Sequence, residues 1–185
     1  MVPKVFPLDS CSSCLSGKRE TFTVWMKSLL MQGNGCTVFN SNGDIVYRID
    51  NYDDKCSSEV CLMDLHGRVL VTIVQRKVWP FKSWEIYKQV NREKPWLRVK
   101  TYSKAKFRLE TNDEANWYQV ETSACKSQVK ILDGNGNIVA EAERKRSSSG
   151  VVLGNDVLAL TVEADVDHSF IITILTVYGL INKIL

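Results

Sequence analysis

Only two histidines, His66 and His168, occur in the 185 residues, and imidazole is the side chain that ordinarily titrates near neutral pH. His66 stands where two parallel segments carry asparagine, and His168 adjoins the start of an apolar stretch, so both read as structural. The chain also lacks a Gly-x-Ser-x-Gly elbow, a phosphate loop and a dinucleotide fingerprint; Gly33-x-Gly35 stops after two glycines. No constellation specifies a reaction, so the expectation is a non-enzyme with no cofactor. An excess of charge of one sign is missing too. The formal net charge of +3 is too small to imply a nucleic-acid partner, and no nucleic-acid motif is present. Lys4 is followed by proline, aspartate and serines rather than an apolar run, so no secretory signal is read there. The expected location is intracellular, in cytoplasm or nucleus, with peripheral membrane contact left open.

The length suits one domain with a substantial core, and a monomer is expected. Residues 1–20 read as a flexible segment and 21–185 as the domain. In a reducing compartment the six cysteines, Cys11, Cys14, Cys36, Cys56, Cys61 and Cys125, are expected as thiols, several packed as small hydrophobes. Cys11-x-x-Cys14 has no second cysteine pair or histidine pair at ligand spacing, so no metal is expected there.

What the chain does have is an apolar C-terminal stretch. No charge interrupts residues 169–182, and Phe170, Ile171, Ile172, Ile174, Leu175, Val177, Tyr178, Leu180 and Ile181 leave no polar face. A helix of that kind must be buried, and the run falls short of the roughly 20 residues a membrane span needs. Its Ile, Val and Thr content also suits a strand, and periodicity alone does not choose. If helical, Asp165 and Asp167 stand at its N-terminus, where carboxylates complement free N–H groups.

A second pattern occurs three times. Val38-Phe39-Asn40-Ser41-Asn42-Gly43-Asp44-Ile45-Val46 matches Leu62-Met63-Asp64-Leu65-His66-Gly67-Arg68-Val69-Leu70 and Ile131-Leu132-Asp133-Gly134-Asn135-Gly136-Asn137-Ile138-Val139. Glycine supplies the positive φ of a tight hairpin, and Asn or Asp bonds the turn's own backbone, so three β-hairpins are expected. Asp133-x-Asn135-x-Asn137 imitates the opening of a calcium loop, as Asn40-x-Asn42-x-Asp44 does more faintly. The glycine and glutamate of such a loop are replaced by Ile138 and Arg144, which favours the turn. Glu163, Asp165 and Asp167 alternate and could meet a cation, but helix capping accounts for them better.

Trp84-Glu85-Ile86-Tyr87 and Trp117-Tyr118-Gln119-Val120-Glu121 are further strand candidates. Between residues 96 and 109, Leu97, Val99, Ala105, Phe107 and Leu109 alternate with Arg98, Lys100, Lys104, Lys106 and Arg108, which predicts one buried and one wet face. Trp96 and Tyr102 share the basic parity. Many short strands with regular turns point to a barrel or sandwich, with the apolar helix inside.

The first hairpin, the run Val69-Leu70-Val71-Thr72-Ile73-Val74-Gln75-Arg76-Lys77, the Trp84 strand, and Val152-Leu153-Gly154-Asn155-Asp156 leading to Asp165-Val166-Asp167-His168-Ser169-Phe170-Ile171 together resemble the plant LURP-one-related family. The resemblance spans residues 21–185 in order. It implies kinship with the Tubby C-terminal domain and with phospholipid scramblases. The implied fold is mainly β, a closed antiparallel barrel around a buried apolar C-terminal helix.

Five cations on one face would concentrate phosphate groups, and the resemblance to Tubby domains implies phosphoinositide binding on the barrel surface. Arg98, Lys100, Lys104, Lys106 and Arg108 are therefore the candidate lipid-binding residues; the alternative is a solvated face that resists edge pairing. Arg144-Lys145-Arg146 before Ser147-Ser148-Ser149-Gly150 reads as a solvated basic turn or a nuclear-entry signal. The expected function is a non-enzymatic binding module for phosphoinositide or another anionic membrane surface, linked to plant defence. Its alternatives are a protein-interaction or membrane-tethered, transcription-linked scaffold, and a scramblase-like lipid-binding protein. Protein partners remain open, and no transmembrane span is expected.

Overall fold

The computed structural model describes residues 17–26, 35–54, 57–78, 81–88, 93–111, 116–123, 127–147, 149–154 and 156–185. Within them the chain forms β1 (Glu20–Trp25), β2 (Gly35–Phe39), β3 (Ile45–Asp54), β4 (Ser57–Met63), β5 (Val69–Val78), β6 (Phe81–Lys88), β7 (Leu97–Thr101), β8 (Lys106–Thr111), β9 (Trp117–Thr122), β10 (Gln128–Leu132), β11 (Ile138–Arg144) and β12 (Val157–Val162). The helix α1 (His168–Asn182) follows. β1 begins at Glu20, one residue ahead of the expected domain start. The cysteines at Cys11, Cys14, Cys56 and Cys125 lie outside the described residues, as does nearly all of the expected tail.

Each strand pairs antiparallel with its sequence neighbours. β1 closes the ring on β12, with Glu20 opposite Val162 and Trp25 opposite Val157. The result is a closed barrel, and closure removes the sheet edges that would otherwise template aggregation. Because successive strands alternate in direction, every second connection falls at the same end. One end therefore collects the connections at 40–44, 64–68 and 133–137 together with the entry to α1, and the other collects 102–105 and 145–156.

The three repeated segments are built alike. The side-chain oxygen of Asn40, Asp64 and Asp133 accepts from the backbone N–H groups two and four residues on, all at 2.9 Å. Gly43, Gly67 and Gly136 take φ of 87°, 74° and 83°, a region that costs other residues roughly 1–2 kcal/mol. The ladder shifts register beside each turn, at Phe39, Met63 and Leu132. His66 occupies the same place as Asn42 and Asn135. The carboxylate of Asp133 also accepts from Asn137 Nδ2 at 3.0 Å. Burial alone would raise its pKa, but the hydrogen bonds from Asn137, Asn135 and Gly136 together hold it below the usual carboxylate value. Its oxygens are thus committed to the turn rather than aimed outward.

Alternation along the strands sends Phe22 and Val24, Leu97 and Val99, Phe107 and Leu109, and Val129 and Ile131 inward, all at 5% exposure or less. The C-terminal segment fills the space they enclose as a helix, which settles the helix-or-strand ambiguity. Phe170, Ile174 and Val177 are at most 1% exposed although they point in different directions. Ile181 differs: near the helix end it is only partly buried against the core. Trp96, expected on the wet face, also packs inward, with its ring 5.4 Å from that of Phe170. It precedes β7 and escapes the strand's alternation.

Capping falls to Asp167 alone. Its buried carboxylate accepts from Ser169 N at 2.8 Å, Phe170 N at 3.2 Å and Ser169 Oγ at 2.7 Å. Asp165 instead takes φ of 61° in the approach to the helix, and Glu163 pairs with Arg19 at 3.2 Å. The acidic alternation is therefore a strand end, a turn and a cap. Within α1, the hydroxyls of Thr173 and Thr176 donate to carbonyls one turn back at 2.7 Å, so neither carries an unmet donor into the core.

His168, the first helical residue, packs edge-on against Phe22 with centroids 4.9 Å apart. Its Nε2 is buried without a hydrogen bond and lies 3.9 Å from Glu20. Burial pushes the imidazole below its ordinary pKa of 6.5, against the opposing pull of Glu20 and Asp167.

Three stability outcomes follow from this packing. Ile174→Asp should abolish cooperative unfolding by circular dichroism, because an unpaired charge in the core costs several kcal/mol out of roughly 5–15. Asp167→Ala should lower stability by about 1–3 kcal/mol in urea titration, since it orphans buried donors. A histidine whose folded pKa is depressed gives its full stabilisation above the unfolded value near 6.5 and loses it on acidification. Stability should thus fall as pH drops below that value, and His168→Gln should flatten this part of the profile; an unchanged profile would refute the assignment.

Candidate anion-binding surface at the helix exit

Period-two alternation places Arg98 and Lys100 on the outer face of β7, and Lys106 and Arg108 on the outer face of β8. Cross-strand pairing sets Lys100 opposite Arg108 and Arg98 opposite Glu110. Lys104 and Ala105 depart from the expected pattern. Both lie in the 102–105 connection, where Ser103 Oγ accepts from Ala105 N and Lys106 N at 3.2 and 3.0 Å, and Ala105 is exposed rather than buried. A tight turn breaks strand alternation, so parity counted across it fails.

The wall carrying these cations is also acidic. Lys100 Nζ lies 2.9 Å from Glu110, Lys106 Nζ 2.9 Å from Glu121 and Arg98 Nε 3.9 Å from Glu85. Glu85 further accepts from Arg76 at 2.9 Å and from the Tyr87 hydroxyl at 2.7 Å. The Tyr87 hydrogen bond is the largest influence on its pKa, and with Arg76 it outweighs burial and lowers that value. Arg108 stacks its guanidinium 4.1 Å from the centre of the Trp117 ring, leaving a buried Nε without a hydrogen bond. Exposed pairs of this kind contribute little to stability, and a phosphate can displace a carboxylate from them. They do lower the local potential, so the stripe is not a bare basic strip.

The 102–105 connection reaches the end of the barrel where α1 leaves it. There Asn182 Nδ2 donates to Lys104 O and to Tyr178 O, both at 3.1 Å. The helix stops in a left-handed turn: Lys183 takes φ of 57°, its N–H donates to Leu180 O at 3.3 Å, and Ile184 N donates to Gly179 O at 2.9 Å. Glycine is the usual residue at this position, since a side chain there costs roughly 1–2 kcal/mol. Beside this turn lies a cleft of about 630 Å³ whose apolar floor includes Trp84, Val99, Leu180 and Ile181 and whose rim carries Lys100, Tyr102 and Lys183. Among the described residues, neither the Lys104 nor the Lys183 ammonium has a carboxylate partner. Sequence reasoning missed Lys183, which follows the apolar run by one residue and has no basic neighbour to flag it.

The second basic segment is tied down. Lys145 donates its ammonium to Thr23 Oγ1 and its N–H to Val157 O at 2.9 Å, while Arg146 Nη1 donates to Gly150 O at 3.3 Å. Close by, Met26 N and Trp25 Nε1 donate to Asp156 at 2.7 and 3.2 Å, joining the end of β1 to the start of β12. Cys36 and Cys61 are buried, and burial pushes the Cys36 thiol far above its ordinary pKa. Among the described residues no group of three His, Cys, Asp or Glu side chains stands in a metal-holding arrangement, and no helix is long and apolar enough to cross a membrane.

A crystal structure of an Arabidopsis thaliana protein shares this fold with a TM-score of 0.68, covering 91% of this chain and 94% of that one at 15% identity. Protein LURP-one-related 4 of Arabidopsis thaliana is 48% identical over 98% of this chain and 87% of its own length. Protein LURP-one-related 11 of the same plant is 40% identical over 96% and 84%. The LURP-one-related family model matches residues 20–179, and with that match over nearly the whole barrel the chain belongs to the LURP-one-related family.

Proposed function

We propose that this chain is a non-enzymatic binding module that docks on phosphoinositide-bearing membrane surfaces through the helix exit end of its barrel. The observation that carries this reading is that the 102–105 turn, through the Lys104 carbonyl, is joined to Asn182, the chain neighbour of Lys183, beside an apolar cleft rimmed by Lys100, Tyr102 and Lys183. Cations over an apolar floor match the boundary between anionic headgroups and acyl chains. Arg98, Lys106 and Arg108 extend the cationic surface up the wall, where each phosphate contact must compete with Glu85, Glu121 or the Trp117 ring. The left-handed Lys183 adds support, because a strained non-glycine residue gains a rationale if its charge is used. The setting in plant defence that the resemblance implies belongs to the same proposal.

A protein-interaction scaffold is the second reading, and a specific feature favours it. Val151 and Leu153 are 64% and 52% exposed in the 145–156 connection, at the same end as Trp25 at 36%. A lipid-moving role finds less support, because it would require α1, buried from His168 to Gly179, to leave the barrel.

Sedimentation with vesicles tests the proposal. The protein should pellet with phosphoinositide-containing vesicles and not with neutral ones, and raised salt should weaken binding. At about 1 kcal/mol per cation, Lys104→Glu with Lys183→Glu should lower affinity by roughly thirtyfold or more. Lys183→Gly should reduce binding while holding or raising the urea midpoint, since it removes charge and backbone strain together. Equal binding to charged and neutral vesicles would overturn the proposal and put the scaffold first.

A further inference from the structure

A second cleft opens on the opposite side of the α1 terminus, between the helix and the β10–β12 wall. Its volume is about 190 Å³, somewhat larger than a cavity of about 150 Å³ that accepts benzene. Its walls are apolar, with Ala142, Leu158 and Ile184 among them. Arg144 lines it as well. Counting along β11, Ala140 and Ala142 face the core, and Arg144 has the same parity, opposite the core-facing Leu158. The guanidinium therefore belongs to the inner face of the barrel rim, unlike the wall cations of β7 and β8.

An arginine half-buried among aliphatic side chains should have a counter-charge, because a desolvated cation is costly unless paired. Among the described residues Arg144 has no carboxylate partner. Polar groups converge on the same place. Ser127 and Tyr178 line the cleft. Thr122, paired with Val129, buries a hydroxyl that approaches the Tyr178 phenol without completing a hydrogen bond.

We propose that this cleft binds a small organic monocarboxylate, with the carboxylate held by Arg144 and its hydroxyl neighbours and the apolar body seated against Ala142, Leu158 and Ile184. One planar guanidinium with two aligned donors matches one carboxylate. A phosphate monoester, carrying nearly two charges, would call for a second cation in the pocket. The volume limits the body to about a ring or a short acyl chain. The site is separate from the proposed membrane surface, and its failure would leave that reading standing.

The test is an NMR titration of the full chain with octanoate, following methyl signals of Ala142 and Ile184, with octanol as the uncharged control. Octanoate should give saturable shifts at these methyls, and octanol should bind at least about tenfold more weakly. Arg144→Gln should lower octanoate affinity by about tenfold or more, and Ala142→Leu, which fills the cleft with aliphatic volume, should remove it. Because the wild-type comparison of acid with alcohol needs no variant to fold, it decides independently. Absence of saturable shifts, equal binding of octanol, or undiminished binding by a folded Arg144→Gln would each overturn the proposal.

Discussion

Everything in this protein depends on the mutual need of an apolar helix and a wide barrel. Eight strands enclose about the space their own inward side chains can fill, and twelve enclose more. That surplus is taken by α1, whose diameter with side chains is about 10–12 Å. The helix in turn has no polar side to offer water, and burying each large aliphatic residue contributes about 1.5–3 kcal/mol. Neither part is complete alone. Barrel closure by β1 and β12 brings the earliest described strand beside the last, so the ring is finished only once nearly the whole chain has been placed.

This arrangement gives the barrel two unlike ends. At the helix entry end the repeated Asx-Gly hairpins consume their own polar groups, and Asp167 consumes the first N–H groups of α1. The polar atoms of these turns and of the cap are committed internally, whereas His168 Nε2 beside them is buried without a hydrogen bond. At the exit end the helix finishes in a strained lysine, and two clefts lie on either side of the last turn. Cations at this end include Lys104, Lys183 and Arg144, none with a carboxylate partner among the described residues. The outer wall between the ends is a lattice of opposite charges in which Glu85, Glu110 and Glu121 answer Arg98, Lys100 and Lys106. Unspent binding capacity is therefore concentrated where the helix leaves.

The basic stripe shows how a correct periodicity can give an incomplete site. Alternation along residues 97–101 and 106–109 correctly separates buried Leu97, Val99, Phe107 and Leu109 from outward Arg98, Lys100, Lys106 and Arg108. It cannot report the partners of those cations, because Glu85, Glu110 and Glu121 come from β6, β8 and β9 through sheet register. Nor does it survive the turn at 102–105, where Ala105 is exposed rather than buried as counting assigns it. Arg144 is the reverse case. Read as part of a basic tripeptide it looks like a solvated turn, whereas alternation with Ala140 and Ala142 would have turned it inward.

Local chemistry was sufficient for the three hairpins, since an Asx side chain and a glycine at positive φ act within five residues. It was also sufficient for the burial of the C-terminal segment, because a run with no polar face has no stable place in water. The choice between helix and strand for that run, the barrel rather than a sandwich, and the company each charge keeps were decided by tertiary structure. Those outcomes depend on register and closure between segments far apart in sequence. Lys104 meets the end of α1 only because β7, β8 and the helix all finish at one rim, and no spacing along a single strand encodes that meeting.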